Sequence, residues 1–203
     1  GGGGGPIYED PSGYVIDPNL FDLSDPQSYL ILQKAQIAAT FWADLLDEQQ
    51  QWATLNHDKY SALLNYYLEN TSPESKAFAM EAINSLEEGS DVDLAYKVIV
   101  DKSFKDNPCL NGVYEKLGKA PTFDNYLKEY DSDFSVVDLK LSSGVDAQYP
   151  LASAVTYKPI NSLIEIKFNP NYLNLPPLNI ARTFIHEMIH AEIYRKLLLL
   201  SKR

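Results

Sequence analysis

The chain has 203 residues, a formal net charge of −11 and a pI near 4.6. Apolar residues make up 45% and charged residues 22%, which is ordinary for a globular protein with a sizeable core. The acidic balance, without a basic patch, argues against nucleic acid and anionic membranes as partners. No apolar run reaches the roughly 20 residues of a transmembrane helix, so we expect no membrane insertion. The single cysteine, Cys109, excludes an intrachain disulfide and is predicted to be a small buried residue.

The first residues are five glycines with no Met before them. A glycine run is a flexible tether with no reason to fold, and the residues after it are rich in turn-forming pairs. We therefore expect residues 1–23 to form a flexible tether and an irregular lead-in. The glycines are either a cloning remnant or a spacer beside a removed export or lipid-attachment signal. The second alternative predicts a location in the cell envelope or outside the cell.

Residues 24–130 are predicted to form a helical region. Ser24-Asp25-Pro26-Gln27 has the pattern of a helix start, and apolar residues at helical spacing continue to Leu46. Further helices are predicted at 57–69, 72–89, 93–100, 108–118 and 122–130. For the segment 93–100, the apolar run Val98-Ile99-Val100 leaves a strand as the alternative.

The pattern changes in residues 131–203. Val137, Leu139 and Leu141 alternate with polar residues, which predicts a strand. The runs Ala152–Tyr157 and Leu163–Phe168 are separated by a turn segment and predict an antiparallel hairpin. We therefore predict an α+β protein, with a helical N-terminal half packed on a small antiparallel sheet and one final helix.

The final helix is predicted from a strong start signal and a long uninterrupted run. Pro176-Pro177 ends the preceding segment, Asn179 is a good N-cap, and no Gly or Pro occurs from Ile180 to Leu200. The apolar residues of this run lie all round the helix, which is typical of a buried helix. They are Phe184, Ile185, Met188, Ile189, Ile193, Leu197 and Leu198.

The final helix contains the pattern His186-Glu187-x-x-His190. Residues four apart lie on the same helix face, so both imidazoles can bind one Zn²⁺ at about 2.0–2.1 Å. Glu187 lies beside such a metal and can act as general base and then general acid. We predict His186 and His190 as metal ligands, Glu187 as the catalytic residue and Zn²⁺ as the cofactor. The alternative is a pair of hydrogen-bonded core histidines.

A strand followed by this motif resembles the zincin metallopeptidases. The wider run, Phe168–Leu173 and then Ile180–Ala191, is similar to zincin-like domains at the C-termini of Bacteroidetes surface and toxin-type proteins and, more distantly, to the SprT-like group. The likeness covers about the last 70 residues. It implies zinc-dependent hydrolysis of a peptide or protein substrate. It also implies that a strand near the metal helix pairs with the extended substrate. Leu163–Phe168 is the candidate for that role, and an ordinary core strand is the alternative.

The sequence lacks a third zinc ligand at the positions where this group has one. A metzincin has Gly and then His where this chain has Ile193 and Lys196, so that class is excluded. Gluzincins and SprT-like domains take the third ligand from a later helix, but only 13 residues follow His190. Glu192 lies about 200° around the helix from that histidine and points elsewhere.

Three sources for the missing ligand stay open: upstream sequence, another chain, or sequence beyond Arg203. We prefer the last, which makes the chain a truncated fragment. The only other histidine, His57, is expected to be a surface residue near a helix start. Tyr157, Tyr172 and Tyr194 are candidates for stabilising an oxyanion. The alternative function is a catalytically inactive zincin-like binding module at the cell surface.

Overall fold

The computed structural model describes most of the chain from Ser24 onward. The described residues are 24–118, 123–125, 127 and 137–201, with the backbone of 8–9 and 15–16. Contacts between residues divide the chain into two compact units, Gly1–Ile83 and Asn84–Arg203. The boundary that we predicted after residue 130 therefore falls inside the second unit.

The N-terminal lead-in is described only as two short strands, β1 (Tyr8–Glu9) and β2 (Val15–Ile16), which pair antiparallel. The rest of the predicted tether at 1–23 lies outside the described residues. Of the helix predicted at 122–130, only 123–125 and 127 are described, and these residues are helical.

From Ser24 onward the first unit is helical, as the periodicity predicts. Its helices are α1 (Pro26–Ala43), α2 (Asp47–Leu55) and α3 (His57–Glu69), and α4 (Pro73–Glu87) begins in it. The Asp25 carboxylate caps α1 by accepting hydrogen bonds from the next backbone N–H groups, at 3.0 Å in the case of Ser28. The core of this unit comes mainly from α1, α3 and α4. Its largest fully buried side chains are Phe41, Tyr60, Leu63, Leu64, Phe78 and Ile83.

The second unit is built on a five-stranded mixed sheet in the order β3-β4-β5-β7-β6. The strands are β3 (Asp91–Asp93), β4 (Val98–Val100), β5 (Asp138–Ser143), β6 (Ala154–Thr156) and β7 (Leu163–Phe168). The outer pairs, β3–β4 and β6–β7, are antiparallel, whereas β4–β5 and β5–β7 are parallel. The α+β class and the β6–β7 hairpin are thus confirmed. The prediction of a small antiparallel sheet was wrong, because the centre of the sheet is parallel.

The helix predicted at 93–100 is instead the hairpin of β3 and β4. Its turn places Lys97 at φ 53°, in the left-handed region. Strand β4 is buried on both faces, which explains its unbroken run of β-branched residues. Its parallel pairing with β5 needs a long crossover, and the connection carries α5 (Lys102–Lys105) and α6 (Pro108–Gly118).

The last helix, α7 (Pro177–Ser201), packs on one face of this sheet. It begins two residues before the predicted cap, because Pro177 suits the first helical position. Its central contact is between the rings of Phe184 and Phe168, whose centroids are 4.2 Å apart. The strand residues beneath it are apolar and fully buried. They are Leu139, Leu141, Ile164 and Ile166.

Helix α7 is buried along one face only, so the prediction of a helix buried all round was wrong. Its buried residues are Ile180, Phe184, Glu187, Met188, Ala191 and Arg195. Ile185, Ile189 and Ile193 lie on the opposite face and are 42%, 43% and 48% exposed. The sheet can cover only one side of a single helix, and the described residues leave the other side open.

Candidate functional site

The two motif histidines lie on the exposed face of α7 and point to one spot. The Nε2 atoms of His186 and His190 are 3.1 Å apart. Their ring centroids are 4.7 Å apart, with the ring planes at 81°. This is the arrangement that the four-residue spacing predicts, and it leaves both rings open to solvent.

The separation of the two nitrogens suits a shared metal ion. Two nitrogens bound to one tetrahedral Zn²⁺ at about 2.0–2.1 Å lie about 3.3 Å from each other, close to the 3.1 Å between His186 and His190. Neutral imidazole is also a ligand that zinc prefers. The same distance suits an N–H···N hydrogen bond in which one ring donates to the other. The two histidines therefore have the separation that one zinc ion requires, and a hydrogen-bonded pair is the competing arrangement.

The described part of the chain brings two candidate ligands to this spot. Within it, no group of three or more His, Cys, Asp or Glu side chains could hold a metal. His57 is the first residue of α3, in the other unit, with its Nδ1 3.9 Å from its neighbour Asp58. The third ligand therefore stays a prediction.

Glu192 is occupied by neighbouring cations, as its position around the helix implies. Its carboxylate accepts hydrogen bonds from Arg195 at 2.6 and 2.9 Å and lies 3.2 Å from the ammonium of Lys196. Burial acts to raise the pKa of Glu192, but the hydrogen bonds and charges of these two cations outweigh it, so the pKa is lowered. Glu192 is thus an ionised structural partner of Arg195.

Glu187 differs from Glu192 in its contacts, because it bonds to the sheet and not to cations of its own helix. It is 6% exposed, and its Oε2 accepts a hydrogen bond of 2.6 Å from the hydroxyl of Thr156. The same hydroxyl oxygen lies 3.2 Å from the backbone carbonyl of Glu187. Thr156 is the last residue of β6. The acid of the motif is therefore held between the helix and the sheet.

Sequence reasoning did not single out Thr156. The only signal was its position in the strand predicted at 152–157, and nothing local indicated that it faces the motif. The partner residues are 31 apart in the chain, so their meeting depends on the sheet register and on the placement of α7.

The strand beside the motif helix is β6, and this corrects the proposed substrate strand. Leu163–Phe168 pairs with β5 on one side and with β6 on the other, as in Leu139↔Ile164 and Thr156↔Ile166. Both edges of this strand are therefore used, and the prediction that it pairs with a substrate was wrong. The edge position belongs to β6.

Two of the three tyrosines proposed near the site bond to the loop that leads into β6. The Tyr157 hydroxyl donates a hydrogen bond to the Asp146 carboxylate, and the Tyr172 hydroxyl donates to the Leu151 carbonyl at 2.8 Å. Burial, followed by the hydrogen bond to Asp146, raises the pKa of Tyr157. Tyr194 is partly buried against the core.

Cys109 is exposed near the start of α6 rather than buried. The early turn of a short helix is open to solvent, and the buried face of α6 is formed instead by Leu110 and Val113. The cysteine therefore has no part in the candidate site.

Comparison of the chain with models of protein families, with curated proteins and with solved structures gave no match. None of the helices in the described ranges combines the length and hydropathy that crossing a bilayer requires.

Proposed function

We propose that the protein is a zinc-dependent metallopeptidase that hydrolyses peptide bonds. One observation carries the proposal: the Nε2 atoms of His186 and His190 converge to 3.1 Å on an open helix face, and the acid between them in the sequence is Glu187. This chemistry needs two histidines and an adjacent carboxylate, at a place that solvent can reach.

In this proposal, the histidines bind the metal and Glu187 moves protons. A Zn²⁺ held by His186 and His190 would supply a Lewis acid that polarises the scissile carbonyl and makes water acidic. The Glu187 carboxylate takes a proton from the attacking water as the new C–O bond forms. It gives that proton to the leaving nitrogen as the C–N bond breaks. Its Oε1 has no hydrogen-bond partner within the described residues, which leaves this oxygen for the proton.

A catalytic zinc site has three protein ligands and an open position. Among the described residues, His186 and His190 supply two. The third would come from outside that part of the chain, in keeping with the expectation drawn from the sequence.

Metal content tests the ligand roles. We expect one zinc per chain, by elemental analysis, in the complete natural protein purified without chelator. The double variant His186→Ala/His190→Ala should lose it. His57→Ala is the matched control, because it removes the one histidine outside the motif. Zinc retained by the double variant, or lost by the control, would contradict the assignment.

Hydrolysis of a mixed peptide library tests the role of Glu187. Glu187→Gln keeps the shape of the side chain but removes the base, so we expect turnover to fall by about 10²–10⁴-fold while zinc stays bound. Unchanged turnover in this variant would rule out the proposed role.

A second candidate is a catalytically inactive binding module at the cell surface. The observation in its favour is the row of exposed apolar side chains on α7, beside the histidines: Ile185, Ile189, Ile193, Leu197 and Leu200. Contiguous exposed apolar residues are typical of interaction surfaces. Absence of zinc and of peptide hydrolysis in the complete natural protein would favour this candidate.

A further inference from the structure

We propose that Thr156 is a positioning residue that orients the carboxylate of Glu187 for proton transfer. This inference rests on the proposed peptidase function. Within the described residues, the Thr156 hydroxyl is the one hydrogen-bond donor to that carboxylate, at 2.6 Å from Oε2. A buried carboxylate with a single short contact has its position set by that contact.

Thr156 is itself held in place by the sheet. It pairs with Ile166 in the antiparallel ladder, and the next residue, Tyr157, donates its backbone N–H to the Glu165 carbonyl at 2.9 Å. Threonine is branched at Cβ, so few side-chain rotamers are open to it. The hydroxyl therefore starts from a fixed backbone and a restricted torsion.

The hydroxyl has one hydrogen and two nearby acceptors. Glu187 Oε2 lies at 2.6 Å and the Glu187 backbone carbonyl at 3.2 Å, so the hydrogen is donated to the carboxylate. This bond fixes Oε2 toward β6 and leaves Oε1 as the oxygen that exchanges a proton. An ordered base saves the cost of orienting the group during the reaction.

The loss of a hydrogen-bond partner such as Thr156 has an expected size. Residues that hydrogen-bond to the groups around a metal site change activity or metal affinity by about 10–100-fold when they are lost. Thr156→Val removes the hydroxyl at constant shape, so it should lower kcat by about 10–100-fold and leave KM unchanged. Thr156→Ser keeps the hydroxyl and should recover most of the loss.

The chain offers a matched control in Thr183. This threonine lies on α7, and its hydroxyl donates to the Asn179 carbonyl one turn back, at 3.1 Å. Thr183→Val makes the same chemical change on the motif helix without touching Glu187. We expect its kcat to equal that of the wild type.

Cobalt(II) bound in place of zinc gives a readout that does not depend on turnover. Its visible absorption responds to the groups around the ion. We expect Thr156→Val to shift the spectrum in the same direction as Glu187→Gln, and Thr156→Ser and Thr183→Val to leave it unchanged. Circular dichroism establishes that each variant is folded. If Thr156→Val does not fold, the smaller change Thr156→Ala with the Ser rescue carries the same test.

A double-mutant cycle separates positioning from packing. If Thr156 acts through Glu187, adding Thr156→Val to Glu187→Gln should change neither kcat nor the cobalt spectrum further. Wild-type kcat and spectrum in Thr156→Val, alongside loss in Glu187→Gln, would overturn this inference alone. A complete natural protein that binds no cobalt and cleaves no peptide would overturn the proposed function and the inference together.

Discussion

The two faces of α7 differ in almost every property that matters for function. On the inner face, Phe184, Met188 and Ala191 are fully buried against the sheet. On the outer face, Ile185 and Ile189 are nearly half exposed, although they are as apolar as the buried residues. When a helix packs on a single layer, the apolar character of a residue therefore does not predict whether that residue is buried.

The motif lies across the boundary between these faces. His186 and His190 are exposed on the outer side, where an ion and a substrate can reach them. Glu187 turns inward and is bound by Thr156. A 100° step between consecutive helix residues is enough to produce this division. Two open histidines and a fixed acid are thus obtained from one helical turn placed at the edge of a core.

The largest effect that the division predicts is on stability. Phe184 is fully buried, with the rings of Phe168 and Phe104 at 4.2 and 5.6 Å. Phe184→Ala should therefore lower the free energy of unfolding by about 3–5 kcal/mol. Its neighbour on the outer face provides the control, because Ile185→Ala should cost less than about 1 kcal/mol. Urea unfolding followed by circular dichroism measures both, and equal losses would contradict the assignment of the two faces.

The second largest predicted effect is stabilisation of the protein by zinc bound at the outer face of α7. Zinc that binds only the native state at 100 times its Kd should stabilise the protein by about 2.7 kcal/mol. His186→Ala should lose this gain but should unfold like the wild type without zinc, because the ring is exposed. His57→Ala should keep the gain. Thermal unfolding with and without zinc tests this, and a zinc-dependent shift that survives His186→Ala would place the ligands elsewhere.

A smaller, pH-dependent effect comes from the Glu192–Arg195 pair. The pKa of Glu192 is lowered from its ordinary value of 4.5. The ionised carboxylate is therefore more strongly stabilised in the native state than in the unfolded state. The resulting stability is fully present above pH 4.5 and is lost as the pH falls through the lower native pKa. Glu192→Gln should cost about 1.5 kcal/mol at pH 7, because the bonds join charged groups that are largely buried.

Unfolding of both proteins from pH 7 to pH 3 measures that difference. The wild type and Glu192→Gln should converge as the carboxylate protonates. A gap that stays constant over this range would show that the side chain stabilises by packing and not by charge.

Local patterns predicted most of what depends on local structure. The α+β class, the α3 bounds of His57–Glu69 and the hairpin of β6 and β7 follow from periodicity and turn signals. At Val98–Val100 a strand was only the alternative to a helix, because three apolar residues buried on both faces are too few to show a period. The parallel pairing of β5 with its neighbours joins distant segments and leaves no local trace.

In the candidate site, too, the local geometry was predicted and the long-range contacts were not. The geometry of His186 and His190 follows from helical spacing alone. The role of β6 as edge strand and the contact of Thr156 with Glu187 do not, because both depend on which strand is inserted between two others. Burial of the outer face was predicted wrongly for a related reason: composition indicates what could be buried, and topology decides what is covered.

The smallest predicted effect lies one residue beyond Thr156. Side chains alternate along a strand, so Thr156 faces α7 whereas Tyr157 turns away and donates to Asp146. This hydrogen bond, with those from the backbone N–H groups of Tyr149 and Gln148, lowers the pKa of Asp146. Tyr157→Phe should therefore raise that pKa part of the way to its ordinary value, because the backbone donors remain.

Carboxyl chemical shifts followed by NMR against pH measure this change, and Tyr172→Phe is the control, since its hydroxyl bonds to the Leu151 carbonyl instead. The contribution of Asp146 to stability is present above its ordinary pKa and is lost as the pH falls through the lower native value. The kcat of Tyr157→Phe should equal that of the wild type, because the bond lies on the side of β6 away from Glu187. A fall in kcat as large as that of Thr156→Val would show that the orientation of β6 as a whole, and not the Thr156 hydroxyl, sets the position of the acid.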